Sequence, residues 1–184
     1  MADPVIEWRA EHVRFNRFLD LLEREMASFR AGEQPDYSLM HDIIHYLRHF
    51  ADRVHHPRED VAFTRLAERD PSMRLPVNRL LQEHRVIATA GEELLRRLDD
   101  IAADAVIERG RVEAAAATYL VYYRHHLATE EADVVPRAAK LLTRQDWADV
   151  AAAVPAGPDP FFGDDLDARY QELRRQVVPA ERES

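Results

Sequence analysis

Four long stretches of this chain repeat apolar residues three and four apart, and a histidine interrupts each stripe once. The first, over residues 6–30, runs Trp8, His12, Phe15, Leu19, Leu22 and Met26. The second runs Ile44, Leu47, Ala51, His55, Glu59, Ala62 and Leu66. The third runs Val77, Leu80, Leu81, His84, Ile87, Ala88, Gly91, Leu94, Leu95 and Leu98. The fourth runs Val112, Ala115, Tyr119, Tyr122, Tyr123, His126, Glu130, Val134 and Leu141. That spacing is one face of an α-helix. Such a face is buried, and buried polar groups need partners. Four histidines, with Glu59 and Glu130 one turn beyond two of them, therefore need a common partner inside the protein.

Gly32 and Pro35 end the first helix, and Asp36 or Ser38 caps the second. A loop over residues 70–76 precedes the third helix, and Gly110 punctuates the turn before the fourth. Pro57 interrupts the second stripe; it removes a backbone donor and is expected to kink the helix, freeing the Arg53 carbonyl. Pro136 stands shortly after Glu130. Long amphipathic helices with short connections predict an all-α fold, an up-down-up-down antiparallel four-helix bundle over residues 1–144. Residues 145–184 read as a C-terminal helical extension. Within it, a short helix is expected over 145–153, followed by a linker containing Pro155, Gly157, Pro158 and Pro160. Phe161 and Phe162 are expected to pin this surface-docked tail, and a polar last helix spans about residues 165–178.

Composition narrows the chemistry. The 184 residues contain no cysteine, which excludes disulfides, iron–sulfur clusters, thiolate zinc sites and cysteine nucleophiles. Any metal must be held by nitrogen and oxygen. A net charge of −9 without a basic stripe argues against nucleic acid as a partner. No run approaches the ~20 apolar residues of a membrane helix, and no apolar leader is evident. The expected location is the cytoplasm.

A weak internal repeat organises the polar residues. Glu11-His12 recurs as Glu83-His84, and His55-x-x-x-Glu59-Asp60 recurs as His126-x-x-x-Glu130-Glu131, at offsets of about 70 residues. Each half is a helical hairpin with a histidine on its first helix and His-x-x-x-Glu on its second. The i,i+4 spacing places imidazole and carboxylate one turn apart on one face. Imidazole with carboxylate suits iron, manganese, zinc or cobalt. Six ligands exceed the four of a structural zinc. They fit two metals, each with two histidines, spanned by Glu59 and Glu130, with positions left for water, oxide or a small ligand. Without metal, two buried glutamates are costly, so the metal-free form is expected to be less stable.

The other histidines are assigned elsewhere. His41, His45 and His49 lie off the stripe and are expected to form a polar face rather than a surface chelate. His56 pairs in spacing with Asp60, but the stripe and the repeat both favour His55 with Glu59. His126 is likewise favoured over His125, which has Thr129 one turn on.

"HHPREDVAF" at 55–63, "HHLATEEADVVP" at 125–136 and the "EH" of the first and third helices, at 11–12 and 83–84, resemble the haemerythrin-like family, the His-His-Glu cation-binding domains. The resemblance covers about residues 8–142 and implies a four-helix bundle around a non-haem di-iron centre. Ferritin-like bundles use Glu-x-x-His, which occurs nowhere here. Oxygen-carrying haemerythrins have a second histidine one turn further along the third helix, where this chain has Ala88. They also have an aspartate five residues after the last histidine, where this chain has Glu130 at four. The resulting two-and-two histidine pattern looks more like family members associated with iron-centre repair and nitric-oxide stress. Those usually carry an extra cysteine-containing segment.

The expected function is thus that of a di-iron protein binding a small diatomic ligand such as dioxygen or nitric oxide. The cofactor is two iron ions bridged by carboxylates and oxide or hydroxide, with zinc or manganese as alternatives. His12 and His55 serve one iron, His84 and His126 the other, and Glu59 and Glu130 bridge. Tyr119, Tyr123, Phe15 and Phe63 are candidate pocket walls. The alternatives are an iron-centre repair protein, an enzyme of nitric-oxide or peroxide stress, and a metal-dependent sensor whose metal state alters residues 155–184.

Overall fold

In a computed structural model, residues 4–155, 159–162 and 169–177 are described, and they are all-helical, with no strand among them. Helix α1 spans Pro4–Ala31. Asp36 is the cap of α2 (Tyr37–Tyr46), its carboxylate accepting the Leu39 amide at 2.9 Å. A π-helical segment, Leu47–His55, joins α2 to α3 (His56–Arg69). A single 3₁₀ turn, Pro71–Met73, leads into α4 (Arg74–Ala102). Helix α5 (Arg109–Thr129) runs through a second π segment, Glu130–Val134, into α6 (Val135–Leu141). Helices α7 (Arg144–Ala153) and α8 (Tyr170–Val177) follow.

The first π segment stands where a simple kink at Pro57 was expected, and a second precedes Pro136. Each ends two residues before a proline, Pro57 or Pro136. A proline ring collides with the carbonyl four residues back. Here the preceding turn widens instead: the His56 amide donates to the Ala51 carbonyl, and the Val135 amide to the Glu130 carbonyl, each five residues back. The perturbation therefore spreads over the turn before the proline rather than freeing one carbonyl.

Two apolar clusters fill the interior. One gathers Phe15, Phe18, Leu19, Ile44, Leu47, Ile87, Leu94, Tyr119 and Tyr123. The other gathers Val5, Trp8, Phe63, Leu66, Val77, Leu80, Val134 and Ala138. Along each stripe the candidate ligands fall between the two: His12 between Trp8 and Phe15, His84 between Leu80 and Ile87. The polar layer is thus clamped by packed apolar residues on both sides, which fixes its rotamers.

Parts of the C-terminal segment pack on the helices before it; residues 156–158, 163–168 and 178–184, including Gly157, Pro158 and both ends of the expected last helix, lie outside the described residues. Helix α7 opens with a capping box between Thr143 and Asp146. It is tied to α3 by Arg69 and Asp146 at 2.7 Å, and Trp147 packs edge-on to Trp8. Phe161 is fully buried against Phe18 and Tyr46, whereas Phe162 is exposed. Helix α8 buries Tyr170, Leu173 and Val177 on the same cluster. His41, His45 and His49 sit along this seam. His41 pairs with Asp99 at 2.9 Å, His45 bonds the Tyr170 hydroxyl at 2.6 Å, and His49 bonds the His45 carbonyl. No helix among the described residues is long and apolar enough to cross a membrane.

Candidate metal centre

All six residues singled out by the stripes are buried: His12, His55, Glu59, His84, His126 and Glu130. Their ligating atoms converge. His12 Nε2 and His55 Nε2 lie 2.9 Å apart, and both lie close to Glu59 Oε1, at 3.2 and 3.1 Å. Two donors bound at right angles at about 2.1 Å would stand about 3 Å apart, so these three atoms have the spacing of neighbouring ligands on one ion. On the other side, His126 Nε2 is 3.1 Å from Glu130 Oε1, and His84 Nε2 is 3.6 Å from the same oxygen. The two glutamates cross between the groups. Glu59 Oε2 is 3.6 Å from His84 Nε2, and Glu130 Oε2 is 3.7 Å from His12 Nε2.

The hydrogen bonding of these atoms tests whether they fit a metal. Glu59 Oε2, both Glu130 oxygens and the Nε2 atoms of His84 and His126 are buried without a hydrogen-bond partner. Buried polar atoms are rarely left so. His126 Nε2 and Glu130 Oε1 are close yet not aligned as donor and acceptor. Lone pairs directed at a shared centre, rather than at each other, give that arrangement. The donor set is nitrogen and oxygen only and fits iron, manganese or zinc.

The far side of each imidazole is held by a carboxylate. His12 Nδ1 donates to Glu131 at 2.7 Å, His55 Nδ1 to Glu11 at 2.5 Å and His84 Nδ1 to Asp60 at 2.6 Å. His126 Nδ1 faces Glu83 at a longer 3.4 Å. These contacts fix the tautomer, keep Nε2 toward the centre and raise the basicity of each ring. They also explain the repeat. The glutamate of each Glu-His pair holds the histidine of the following helix, and the acid after each inner glutamate holds a Glu-His histidine. Sequence reasoning noted Glu11, Glu83, Asp60 and Glu131 without giving them this role; the signal was present in the doubled motif.

One residue set aside in favour of its neighbour also enters the layer. His56 is 3% exposed, and its ring stacks on His84 with centroids 4.3 Å apart. The π turn explains why His55 and His56 both face inward: a wider turn rotates less per residue, so two consecutive side chains share the buried face. His125, by contrast, is half exposed, with Nε2 3.7 Å from Glu83. Of the four aromatic residues expected to wall the site, Phe15 lies 5.0 Å from the His55 ring and Tyr123 5.8 Å from the His56 ring. Tyr119 stands behind Tyr123, and Phe63 packs on Trp8.

Without metal, the imidazoles and carboxylates favour each other's charged forms. Burial opposes protonation of His12 and His84, but hydrogen bonds and the fields of the nearby carboxylates outweigh it and push both up to about 10. His55 and His126 are also raised against burial, chiefly by Glu59 and Glu130 respectively. Burial opposes ionisation of Glu59, yet the imidazolium partners hold its carboxyl well below the usual range. Glu130 is lowered too, against both burial and the charge of Glu59. Without metal, the carboxylates favour protons on these histidines, while His12 Nε2 and His55 Nε2, 2.9 Å apart, share one between them.

Searches of curated proteins and of solved structures return no match. A family model, the haemerythrin HHE cation-binding domain, matches residues 3–138, which include every residue of the polar layer. Through this match over most of its length, and with a buried histidine and glutamate layer suited to a metal, the chain belongs to the haemerythrin HHE cation-binding family.

Proposed function

We propose that the protein holds two iron ions in this layer and uses them to bind a small ligand such as dioxygen or nitric oxide. The observation that carries the proposal is the crossing of the glutamates. Glu59 presents one oxygen to His12 and His55 and the other to His84; Glu130 presents one oxygen to His84 and His126 and the other to His12. A single ion needs no such division, whereas a carboxylate shared by two ions does. His12 and His55 then serve one iron, and His84 and His126 the other. Six protein groups do not fill the coordination of two irons, so a diatomic ligand has room to bind.

The scaffold in this proposal is an up-down-up-down antiparallel four-helix bundle. Its helices are α1, α2 continued through α3, α4, and α5 continued through α6. Short connections at residues 32–36, 70–73 and 103–108 and the sharing of one polar layer by all four support it. When bound, iron supplies an electron-rich centre to which a diatomic molecule can coordinate. The residues of this chain orient the imidazoles through Glu11, Asp60, Glu83 and Glu131, and exclude bulk water with Phe15, Trp8 and Tyr123. The test is the visible spectrum of anaerobically reduced, iron-loaded protein before and after dioxygen or nitric oxide. New ligand-dependent bands are expected. An unchanged spectrum with both gases would refute the ligand-binding role.

A further inference from the structure

His56 is the one imidazole of the layer that the internal repeat does not double; the equivalent place in the second half is Leu127. Its Nε2 is buried and has no hydrogen-bond partner. Buried imidazole nitrogens are rarely left without a partner. One ligand atom each from His56, Glu59, His84 and His126 fall within 4.8 Å of one another. The His56 ring is stacked on His84 and lies 5.6 Å from the ring of His126. Behind it, Asp52 Oδ1 is 3.4 Å from Nδ1. His56 is thus laid out like the other four histidines, with Nδ1 on the side of a carboxylate, here 3.4 Å away and without a hydrogen bond, and its own Nε2 unpartnered.

The surroundings support Asp52 in that place. Arg48 lies one turn before Asp52, with NH1 3.9 Å from Oδ2, and also donates to the Ala88 carbonyl. Gly91 makes room for this: a Cβ there would stand 2.9 Å from Tyr119 Cε2 and 3.4 Å from Arg48 Cγ. On α4 only His84 reaches the centre, and the residue one turn on is Ala88.

We infer that His56, oriented by Asp52, is a further metal ligand on the His84 and His126 side. The two metal positions are then unlike, with three imidazoles on one and two on the other. This rests on the two-metal proposal. The imidazole comes from the π turn before Pro57 rather than from a second histidine on α4, and the repeat becomes asymmetric at this one place.

The test titrates full-length, metal-free protein with Co²⁺ under anaerobic conditions, followed by visible absorption and calorimetry. Wild type is expected to take two ions with unequal affinity. His56→Leu, which copies the residue at the equivalent place in the repeat, is expected to weaken one position at least about tenfold and leave the other unchanged. Its metal-free melting temperature should hold or rise, because an unpartnered buried nitrogen is removed. Unchanged affinities at both positions overturn the inference, as does a lower metal-free melting temperature with metal binding intact, which marks a packing residue. Asp52→Asn keeps the fold and the volume and decides the matter if His56→Leu fails to fold. It should weaken the same position by about 10–100-fold, and unchanged affinity overturns the inference. Wild type taking fewer than two ions overturns the two-metal proposal and this inference with it. Wild type taking two, with the variants unchanged, overturns the inference alone.

Discussion

Replacing Glu59 with glutamine keeps its shape and removes its charge. The side chain is fully buried, with one oxygen 3.2 Å from His12 Nε2 and 3.1 Å from His55 Nε2. In the metal-free protein, Glu59→Gln takes from His55 the carboxylate that chiefly holds its proton, and from His12 a second carboxylate beside Glu131. Removing one member of a buried pair costs about 3–5 kcal/mol. For a chain of this size, 1 kcal/mol moves the melting temperature by about 2–4 °C, so the expected loss is about 6–20 °C at pH 6.5. The deficit should shrink as pH rises toward 10, because His12, held up to about 10, then loses its proton in wild type as well. Metal-loaded protein should lose more, since the shared carboxylate is gone from both positions, and metal content should fall. Glu130→Gln should behave alike through the repeat, while Glu92→Gln, on a side chain 75% exposed, should change stability by less than about 0.5 kcal/mol. Thermal melts of both forms with elemental analysis give the answer. Wild-type melting and wild-type metal content in Glu59→Gln would refute the reasoning.

Three further outcomes are expected. The pH dependence of the metal-free and metal-loaded forms should have opposite slopes. His12 and His84, raised to about 10 from 6.5, stabilise the metal-free fold fully below pH 6.5 and lose that contribution as pH rises through 10; Glu59 and Glu130, both lowered, contribute above about pH 4.5 and lose it as pH falls. Metal needs unprotonated imidazole, so uptake near pH 7 should release protons, seen as heats that differ between buffers of different ionisation enthalpy; equal heats would contradict it. Asp60→Asn and Glu131→Gln, which loosen His84 and His12, should each weaken metal binding by about 10–100-fold with little change in the helical circular dichroism, and full affinity in both would remove the carboxylate supports from the account. Phe161→Ala should cost about 3–5 kcal/mol in denaturant melts, because the ring is fully buried between Phe18 and Tyr46, whereas Phe162→Ala should cost little.

The helices and the layer of candidate ligands were legible because both rest on periodicity. A stripe at three and four spacing places His12, His84 and His126 inward whatever the tertiary detail. His56 was not legible for the same reason. Periodicity assumes a constant rotation per residue, and the π turn before Pro57 breaks that assumption, so His55 and His56 could not both be placed on one face. The proline was visible, but its effect depends on whether the helix kinks or widens, which neighbouring packing decides. The carboxylates behind the histidines were visible only as a doubled motif. Their function joins different helices, Glu11 to His55 and Glu131 to His12, and no spacing along one helix encodes that. In the tail, the pair Phe161 and Phe162 marked an anchor without telling which ring is buried, and the pairing of His45 with Tyr170 depends on where α8 docks.

The most direct test of the central claim is the metal-to-chain ratio, by elemental analysis, of full-length protein purified after iron-replete expression. Two crossing glutamates, each dividing its oxygens between histidine pairs, predict two iron ions per chain. A ratio of one or less, in correctly folded protein, would contradict it.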